Sequence, residues 1–179
     1  MTPLLPEEIA ARARRIRLLL LDVDGVLTDG LVQIESAGRE SKAFSIRDGA
    51  ALVWAQRVGL QIGLLSGRPS EATTRRAAEL GIDTVIQHTQ DKREPFEALI
   101  SERGLAADEV AYMGDDLLDL PVLSRVGLAA APSDAVADVL SRVHWVSQYP
   151  GGRGAVRELV EMVLRAQRSW DTLVARFLD

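Results

Sequence analysis

Ile16-Arg17-Leu18-Leu19-Leu20-Leu21-Asp22-Val23-Asp24-Gly25-Val26-Leu27-Thr28 is the stretch that decides the fold. A short, nearly continuous apolar run is the pattern of a strand buried on both faces, as in parallel sheets. The two acids fall where that strand ends. In an open α/β sheet, ligands bind in the crevice beyond the strand C-termini. One carboxylate there can attack and hold a metal, and a second, one residue on, can move protons. Asp and Gly also favour turns. An Asp-x-Asp-Gly tetrad, however, arises by chance only about 0.04 times in a chain of this length at average residue usage.

Outward from this stretch the chain alternates. Pro6 to Arg15 predicts a helix, with its acids early and its arginines late as the helix dipole favours. Arg17 to Asp22 is the first strand. Residues from about 31 to 46 predict a β-hairpin insertion, Leu31 to Glu35 and Glu40 to Ile46, turning near Gly38. From Asp48 on, the pattern is helix then strand. The pairs are Ala50 to Val58 with Leu60 to Leu65, Ser70 to Leu80 with Ile82 to Gln87, and Lys92 to Arg103 with Glu109 to Met113. Leu117 to Arg125 with Gly127 to Ala130 and Ser133 to Leu140 with His144 to Ser147 complete the series. Gly59, Gly81 and Gly104 stand just past three of these helices, the expected stop. A continuous helix is predicted from Gly154 to Leu178, on an apolar stripe that includes Val156, Leu159, Val163, Trp170 and Leu173, with last turns free to project beyond the domain. This alternation implies a doubly wound, mostly parallel α/β sheet covered on both faces, in a single domain spanning 1–179.

Each predicted strand ends in a polar group. Ser66, Gly67 and Arg68 follow the second strand. A hydroxyl and backbone amides at a helix N-terminus form an anion site, and Ser before a Pro-led helix is equally a plain N-cap. Lys92 opens a helix, which the dipole disfavours; a bound phosphate or an ionised Asp22 would account for it. His88, in the preceding loop, fits a polar loop residue better than a base. Asp115 and Asp116 follow a strand that should neighbour the first, with Asp119 close behind. Hard cations such as Mg2+ take oxygen ligands, usually one or two carboxylates with water and substrate phosphate. Asp22 with Asp115 fits that scheme, while helix capping explains at least one of Asp116 and Asp119. A nucleophilic carboxylate, a proton donor, a hydroxyl anchor, a cation and a metal site together suit phosphoryl transfer through an aspartyl-phosphate.

Composition sets the outer bounds. A chain of 179 residues, 47% hydrophobic and 26% charged, is ordinary for a globular protein and long enough to bury a core. A net charge of −5 argues against a nucleic-acid partner. The chain has no cysteine, which excludes a disulfide framework and a thiolate metal site. No apolar run approaches the ~20 residues that span a bilayer, so no membrane partner is expected. Met1 to Arg15 lacks the apolar stretch of a signal peptide, and a cytoplasmic location is the expectation. Of the 21 basic residues, all but Lys42 and Lys92 are arginine, a compositional bias that still singles out the two lysines.

Asp22-Val23-Asp24-Gly25-Val26, Leu65-Ser66-Gly67-Arg68, Lys92, and Gly114-Asp115-Asp116 with Asp119 resemble the motifs of the haloacid dehalogenase superfamily of phosphatases. Three longer blocks are similar to its 3-deoxy-D-manno-octulosonate 8-phosphate phosphatase subfamily: Lys42 to Gly49, Tyr112 to Val122 and Gly151 to Glu158. Coverage runs from about Ile16 to Arg165; the loop Gln87 to Asp91 and the segment after Arg165 match nothing in that pattern. The resemblance implies a Rossmann-like fold with a small hairpin and no large cap domain. It implies that Asp22 is the nucleophile and a Mg2+ ligand, and that Asp24 is the general acid/base with its backbone carbonyl on the metal. Ser66, Gly67 and Lys92 would hold the phosphoryl group, and Asp115 would bind Mg2+ with Asp116 and Asp119 in support. It further implies a homotetramer in which the hairpin and a neighbour's C-terminal segment close the site, acting in synthesis of the inner sugar of lipopolysaccharide.

The expected substrate is the octulosonate 8-phosphate, favoured by Ser45 to Gly49. A sialic-acid-like nine-carbon sugar acid phosphate is the alternative. A non-catalytic oligomerisation module of the same fold is a further one, opposed by the retained Asp22, Asp24, Lys92 and Asp115. A sugar-acid phosphate carries a carboxylate as well as a phosphate, and arginine binds carboxylates bidentately. Arg47, Arg68 and Arg153 are the candidates, Arg153 flanked by Gly151, Gly152 and Gly154, which permit close backbone approach to a partner or ligand.

Overall fold

A computed structural model describes residues 6–89 and 91–178. Met1 to Leu5, Gln90 and Asp179 lie outside the described residues, and with them part of the predicted domain span, of the N-terminal segment and of the 87–91 loop. The strands are β1 (Leu18–Leu21), β2 (Gln33–Ile34), β3 (Glu40–Ser41), β4 (Gln61–Leu65), β5 (Thr84–Ile86), β6 (Val110–Met113), β7 (Leu128–Ala131) and β8 (Trp145–Val146). The helices are α1 (Pro6–Arg14), α2 (Ile46–Arg57), α3 (Glu71–Glu79), α4 (Arg93–Glu102), α5 (Leu120–Leu123), α6 (Ala137–Leu140), α7 (Ala155–Ala166) and α8 (Trp170–Ala175).

Six strands pair in parallel in the order β5-β4-β1-β6-β7-β8, while β2 and β3 form a separate antiparallel pair with Gln33 opposite Ser41. The four leucines of β1 show why the sheet is covered on both faces. Successive side chains of a strand point to opposite sides. Leu19 and Leu21 enter a core with Ala13, Leu52, Ala55, Val156, Leu159 and Val163, under α1, α2 and α7. Leu18 and Leu20 enter the other, with Phe96, Leu99, Val122, Leu123 and Val139, under α4, α5 and α6. Because β4, β1 and β6 run in one direction side by side, their C-terminal ends share one edge of the sheet. Among the described residues no helix is long and apolar enough to cross a membrane.

Several boundaries differ from the sequence expectation. The hairpin pairs over only two residues per strand, and α2 starts at Ile46 rather than Ala50. Ser45 accounts for the early start of α2: its hydroxyl accepts the Asp48 N–H at 3.2 Å, an N-cap. The expected helices Leu117 to Arg125 and Ser133 to Leu140 shrink to α5, after a 3-10 turn at Leu117–Asp119, and to α6. The C-terminal helix is two helices. Arg168 has φ of 60° and breaks the run, and the Gln167 amide donates to the carbonyls of Ala13 and Ile16 at 3.2 and 2.7 Å. Instead of projecting, α8 folds back: Trp170 and Leu173 are buried, and the rings of Trp170 and Phe177 lie 6.4 and 5.5 Å from that of Trp54 on α2.

Candidate active site

Asp22 extends β1 by one residue, donating its N–H to the Met113 carbonyl of β6 at 3.0 Å. That bond delivers its carboxylate to the sheet edge. Lys92, just before α4, reaches the same point. Its Nζ lies 2.8 Å from Asp22 Oδ1 and 2.6 Å from Asp119 Oδ1, and the side chain is 2% exposed. It also donates to the Tyr112 hydroxyl at 3.2 Å. Tyr112 in turn donates to Asp119 Oδ1 at 2.5 Å, and Asp119 Oδ2 accepts the N–H groups of Asp115 and Asp116 at 2.8 and 3.1 Å. An ionised carboxylate offers about four acceptor sites, and these four donors fill them. Asp119 thus fixes Lys92 and shapes the Asp115 turn. Asp116 caps that turn, its Oδ1 accepting the Leu117 N–H at 2.6 Å.

The electrostatics follow from crowding. Carboxylate oxygens of Asp22, Asp115 and Asp119 lie within 4.8 Å of one another and share one ammonium. Burial first, then the Asp119 charge, pushes the Asp22 carboxyl up to about 6, against the pull of Lys92. Burial and the charges of Asp22, Asp119 and Asp116 push Asp115 up to about 8. Burial works to lower Lys92, yet Asp22 and Asp119 together raise it above its ordinary value. Three carboxylates against one ammonium leave two negative charges uncompensated, the complement of one divalent cation. Asp115 Oδ1 is buried with no hydrogen-bond partner. With the oxygens of Asp119 already engaged, Asp22 and Asp115 are the acids with ligand capacity to spare. An all-oxygen donor set suits Mg2+. Gly25 makes the approach possible: with φ of 86° it lies so close that a Cβ would sit 2.0 Å from Asp115 Oδ2.

A pocket of about 410 Å3 opens over these groups, lined also by Asp24, Gly30, Ser66, Gly67 and Arg68. Ser66 directly follows β4; its hydroxyl donates to the Arg68 carbonyl at 3.2 Å, which tightens the loop into the pocket wall. The Asp24 carboxylate is straddled by Lys42, whose Nζ lies 2.7 Å from Oδ1 and 2.8 Å from Oδ2. Glu40 accepts from the Ser70 hydroxyl at 2.7 Å and from Arg68 at 2.6 and 3.2 Å. The Ser70 hydroxyl first, then Arg68 and Lys42, hold the Glu40 carboxyl below its usual range against burial.

The structure brings Asp22, Asp24, Ser66, Gly67, Arg68, Lys92, Asp115, Asp116 and Asp119 together and leaves Arg47 and Arg153 outside. These two arginines line a separate cleft of about 520 Å3 with Tyr149, Gly154 and Arg157. Asp48 explains the separation: it accepts the N–H groups of Gly154 and Arg157 at 3.1 and 2.8 Å, holding the start of α7 on α2. The glycines beside Arg153 make their close approach within the chain. A Cβ on Gly151 would lie 1.8 Å from the Gly25 carbonyl oxygen, so this turn buttresses the Asp22–Thr28 loop. His88 is exposed and does not line the pocket. Sequence reasoning gave no role to Lys42, Glu40 or Tyr112. Rarity marks Lys42, as one of two lysines; Tyr112 sits in a strand and looks like core.

No protein-family model matches the chain. A 3-deoxy-D-manno-octulosonate 8-phosphate phosphatase of Escherichia coli is 41% identical to it over 164 residues, 92% of this chain and 87% of that protein. The crystal structure of the phosphatase of that name from Yersinia pestis matches with a TM-score of 0.91 at 38% identity, covering 92% of this chain and 89% of its own. The one from Moraxella catarrhalis, in complex with magnesium ion, phosphate ion and KDO, matches with a TM-score of 0.94 at 36% identity, over 96% of this chain and 98% of its own.

Proposed function

Because this chain belongs to the 3-deoxy-D-manno-octulosonate 8-phosphate phosphatase family of the haloacid dehalogenase superfamily, we propose that it hydrolyses that phosphomonoester, with Mg2+ as cofactor, to the free sugar acid and phosphate. The observation that carries this is the pairing of Asp22 with buried Lys92 beside the unpartnered Asp115 oxygen, at the floor of an open pocket.

In this reading an Asp22 carboxylate oxygen attacks phosphorus. The P–O bond to the sugar breaks, and Asp24 gives a proton to the leaving oxygen. Lys92, Ser66 and the Gly67 amide hold the transferring group. Asp24, now a carboxylate, takes a proton from water, which attacks phosphorus and frees Asp22. Mg2+, held by Asp22, Asp115 and the Asp24 backbone carbonyl, would offset the charge of the phosphate and the acids. Asp119 and Asp116 keep Lys92 and Asp115 in place. Arg68 is the one of the three candidate arginines that lines the pocket, and it would meet the substrate carboxylate. The reading extends to one domain spanning 1–179 and to a cytoplasmic homotetramer acting in lipopolysaccharide synthesis. Leu31, Ile34 and Ile46, exposed at and beside the hairpin, support a partner at that face.

Phosphate release from the octulosonate 8-phosphate, a nine-carbon sugar acid phosphate and an aryl phosphate, with Mg2+ or chelator, tests this. The expected result is the highest kcat/KM on the octulosonate, lost with chelator and restored by Mg2+. Preference for the nine-carbon acid would move the substrate, and no release from any ester would leave the non-catalytic module.

A further inference from the structure

We propose that Lys42 is a positioning residue: it holds the Asp24 carboxylate toward the leaving-group oxygen, and Glu40 anchors the lysine to the loop after β4. The proposal rests on Asp24 being the proton donor.

Lys42 Nζ lies within 2.8 Å of both Asp24 oxygens and 3.6 Å from Glu40 Oε1. Its side chain is fully shielded from solvent, whereas the Asp24 side chain is 24% exposed. Asp24 lines the catalytic pocket and Lys42 does not. The ammonium therefore stands behind the carboxylate, where it can reach Asp24 but not a substrate. Glu40 completes the support, with Ser70 at the start of α3 and Arg68 at the pocket wall both bonded to it.

The alternating burial from β3 into the segment before α2 shows how the hairpin delivers this support. Residues two apart on a strand share a face. Glu40, Lys42 and Phe44 are partly buried, while Ser41 and Ala43 between them are exposed. Phe44 packs on the core and so sets the height at which the other two enter.

Charge makes the support necessary. Asp24 opens onto the same pocket as Asp22, Asp115, Asp116 and Asp119. Like charges would turn a free carboxylate outward, away from the reacting oxygen. An ammonium across both oxygens opposes that rotation. Residue usage is a separate observation with the same direction. Both lysines of an otherwise arginine-based chain sit here, each buried between carboxylates. A compact ammonium fits such a gap where a planar guanidinium does not.

The experiment measures KM and the single-turnover rate of leaving-group release, which reads the first step alone, on the sugar-acid phosphate and on p-nitrophenyl phosphate, whose leaving group needs no proton. The proteins are wild type, Asp24→Asn, Lys42→Met and the double variant, with thermal melts as the folding control. Asp24→Asn should lose ~100-fold or more in leaving-group release from the sugar ester and far less from the aryl ester. Lys42→Met should show the same selectivity, at least ~10-fold on the sugar ester and under ~3-fold on the aryl ester, with KM little changed. The double variant should be no slower than Asp24→Asn alone, since the lysine acts through the acid. Equal losses on both esters, or additive losses in the double variant, would overturn the proposal. Should Lys42→Met not fold, Lys42→Gln carries the same comparison with the same deciding outcomes. If Asp24→Asn is selective and the lysine variant is not, only the positioning role falls. If Asp24→Asn shows no selectivity, the proton-donor reading fails and takes the proposal with it.

Discussion

Replacing Asp115 with asparagine separates the stability cost of the acid cluster from its use. In the metal-free protein Asp115 is pushed up to about 8, by burial first and then by Asp22, Asp119 and Asp116. A carboxyl whose folded pKa lies above its unfolded value of 3.8 supports folding while protonated. That support is complete below pH 3.8 and is lost as pH rises through about 8. At about 1.4 kcal/mol per pKa unit, the full shift sets a ceiling of roughly 5 to 6 kcal/mol. Asp22 shares the same crowding and the site opens to water, so we expect about 2 kcal/mol at pH 8. In a domain of this size that is about 4 to 8 °C in Tm. Metal-free Asp115→Asn should therefore melt higher than wild type by that amount at pH 8, and the gap should narrow to about a third of it at pH 5, closing only near pH 3.8. Mg2+ should raise the wild-type Tm at pH 8 by binding the folded form, and leave the inactive variant unmoved. Scanning calorimetry from pH 5 to 8, in chelator and in Mg2+, makes the comparison. A Tm difference independent of pH, or an equal Mg2+ response in both proteins, would refute the reasoning.

Asp22→Asn should abolish turnover while the protein still folds, because an amide cannot act as the nucleophile; activity within tenfold of wild type, about 1.4 kcal/mol of barrier, would exclude covalent catalysis by this residue. Gly151→Ala should cost more than about 3 kcal/mol in denaturant melts, since the added carbon would lie 1.8 Å from the Gly25 carbonyl and displace the Asp22–Thr28 loop. A loss within ordinary surface values would show that the loop yields easily. Arg153→Ala should raise KM for the sugar-acid phosphate and spare an aryl phosphate if this exposed arginine serves a neighbouring subunit's site. Mixed assemblies of Arg153→Ala and Asp22→Asn subunits should then regain sugar-acid activity, and mixtures without recovery would rule out a shared site.

The edge on which the site stands is legible in the sequence because strand ends are. Asp22, Ser66 and Asp115 each follow an apolar run, and parallel pairing of β4, β1 and β6 aligns those runs. Lys92 is legible for an electrostatic reason: a lysine opening a helix is misplaced unless an anion meets it, and Asp22 does. What surrounds these groups has no period to read. Tyr112 has the pattern of a core residue, and its hydroxyl acquires a partner only because the chain turns back at Asp119. Glu40 opens a strand of two paired residues and Lys42 lies just past it, so no predicted strand face announces them, and their inward alternation shows only once the chain is folded. Arg47 and Arg153 keep company with conspicuous glycines, but the cap that Asp48 places on α7 sends them to another cleft.

The acids make the limit concrete, since one residue type takes six different parts. What divides them is the set of donors each has already met. Asp119 has four donors and nothing left to offer a metal. Asp116 caps its own turn, and Asp48 caps α7. Asp22 has one oxygen on a lysine and its side chain still 11% exposed, which is the condition of an attacking group. Asp24 is held across both oxygens yet faces the pocket, which suits a proton carrier. Asp115 alone of the six keeps a buried oxygen with neither an ion pair nor a hydrogen bond, and it is pushed further upward than Asp22. A buried carboxylate oxygen left in that state costs stability unless a cation meets it. In the proposed reading the position of Asp115 is explained by the ion it would hold, and the same deficit that weakens the metal-free fold would give the site its affinity for a divalent ion.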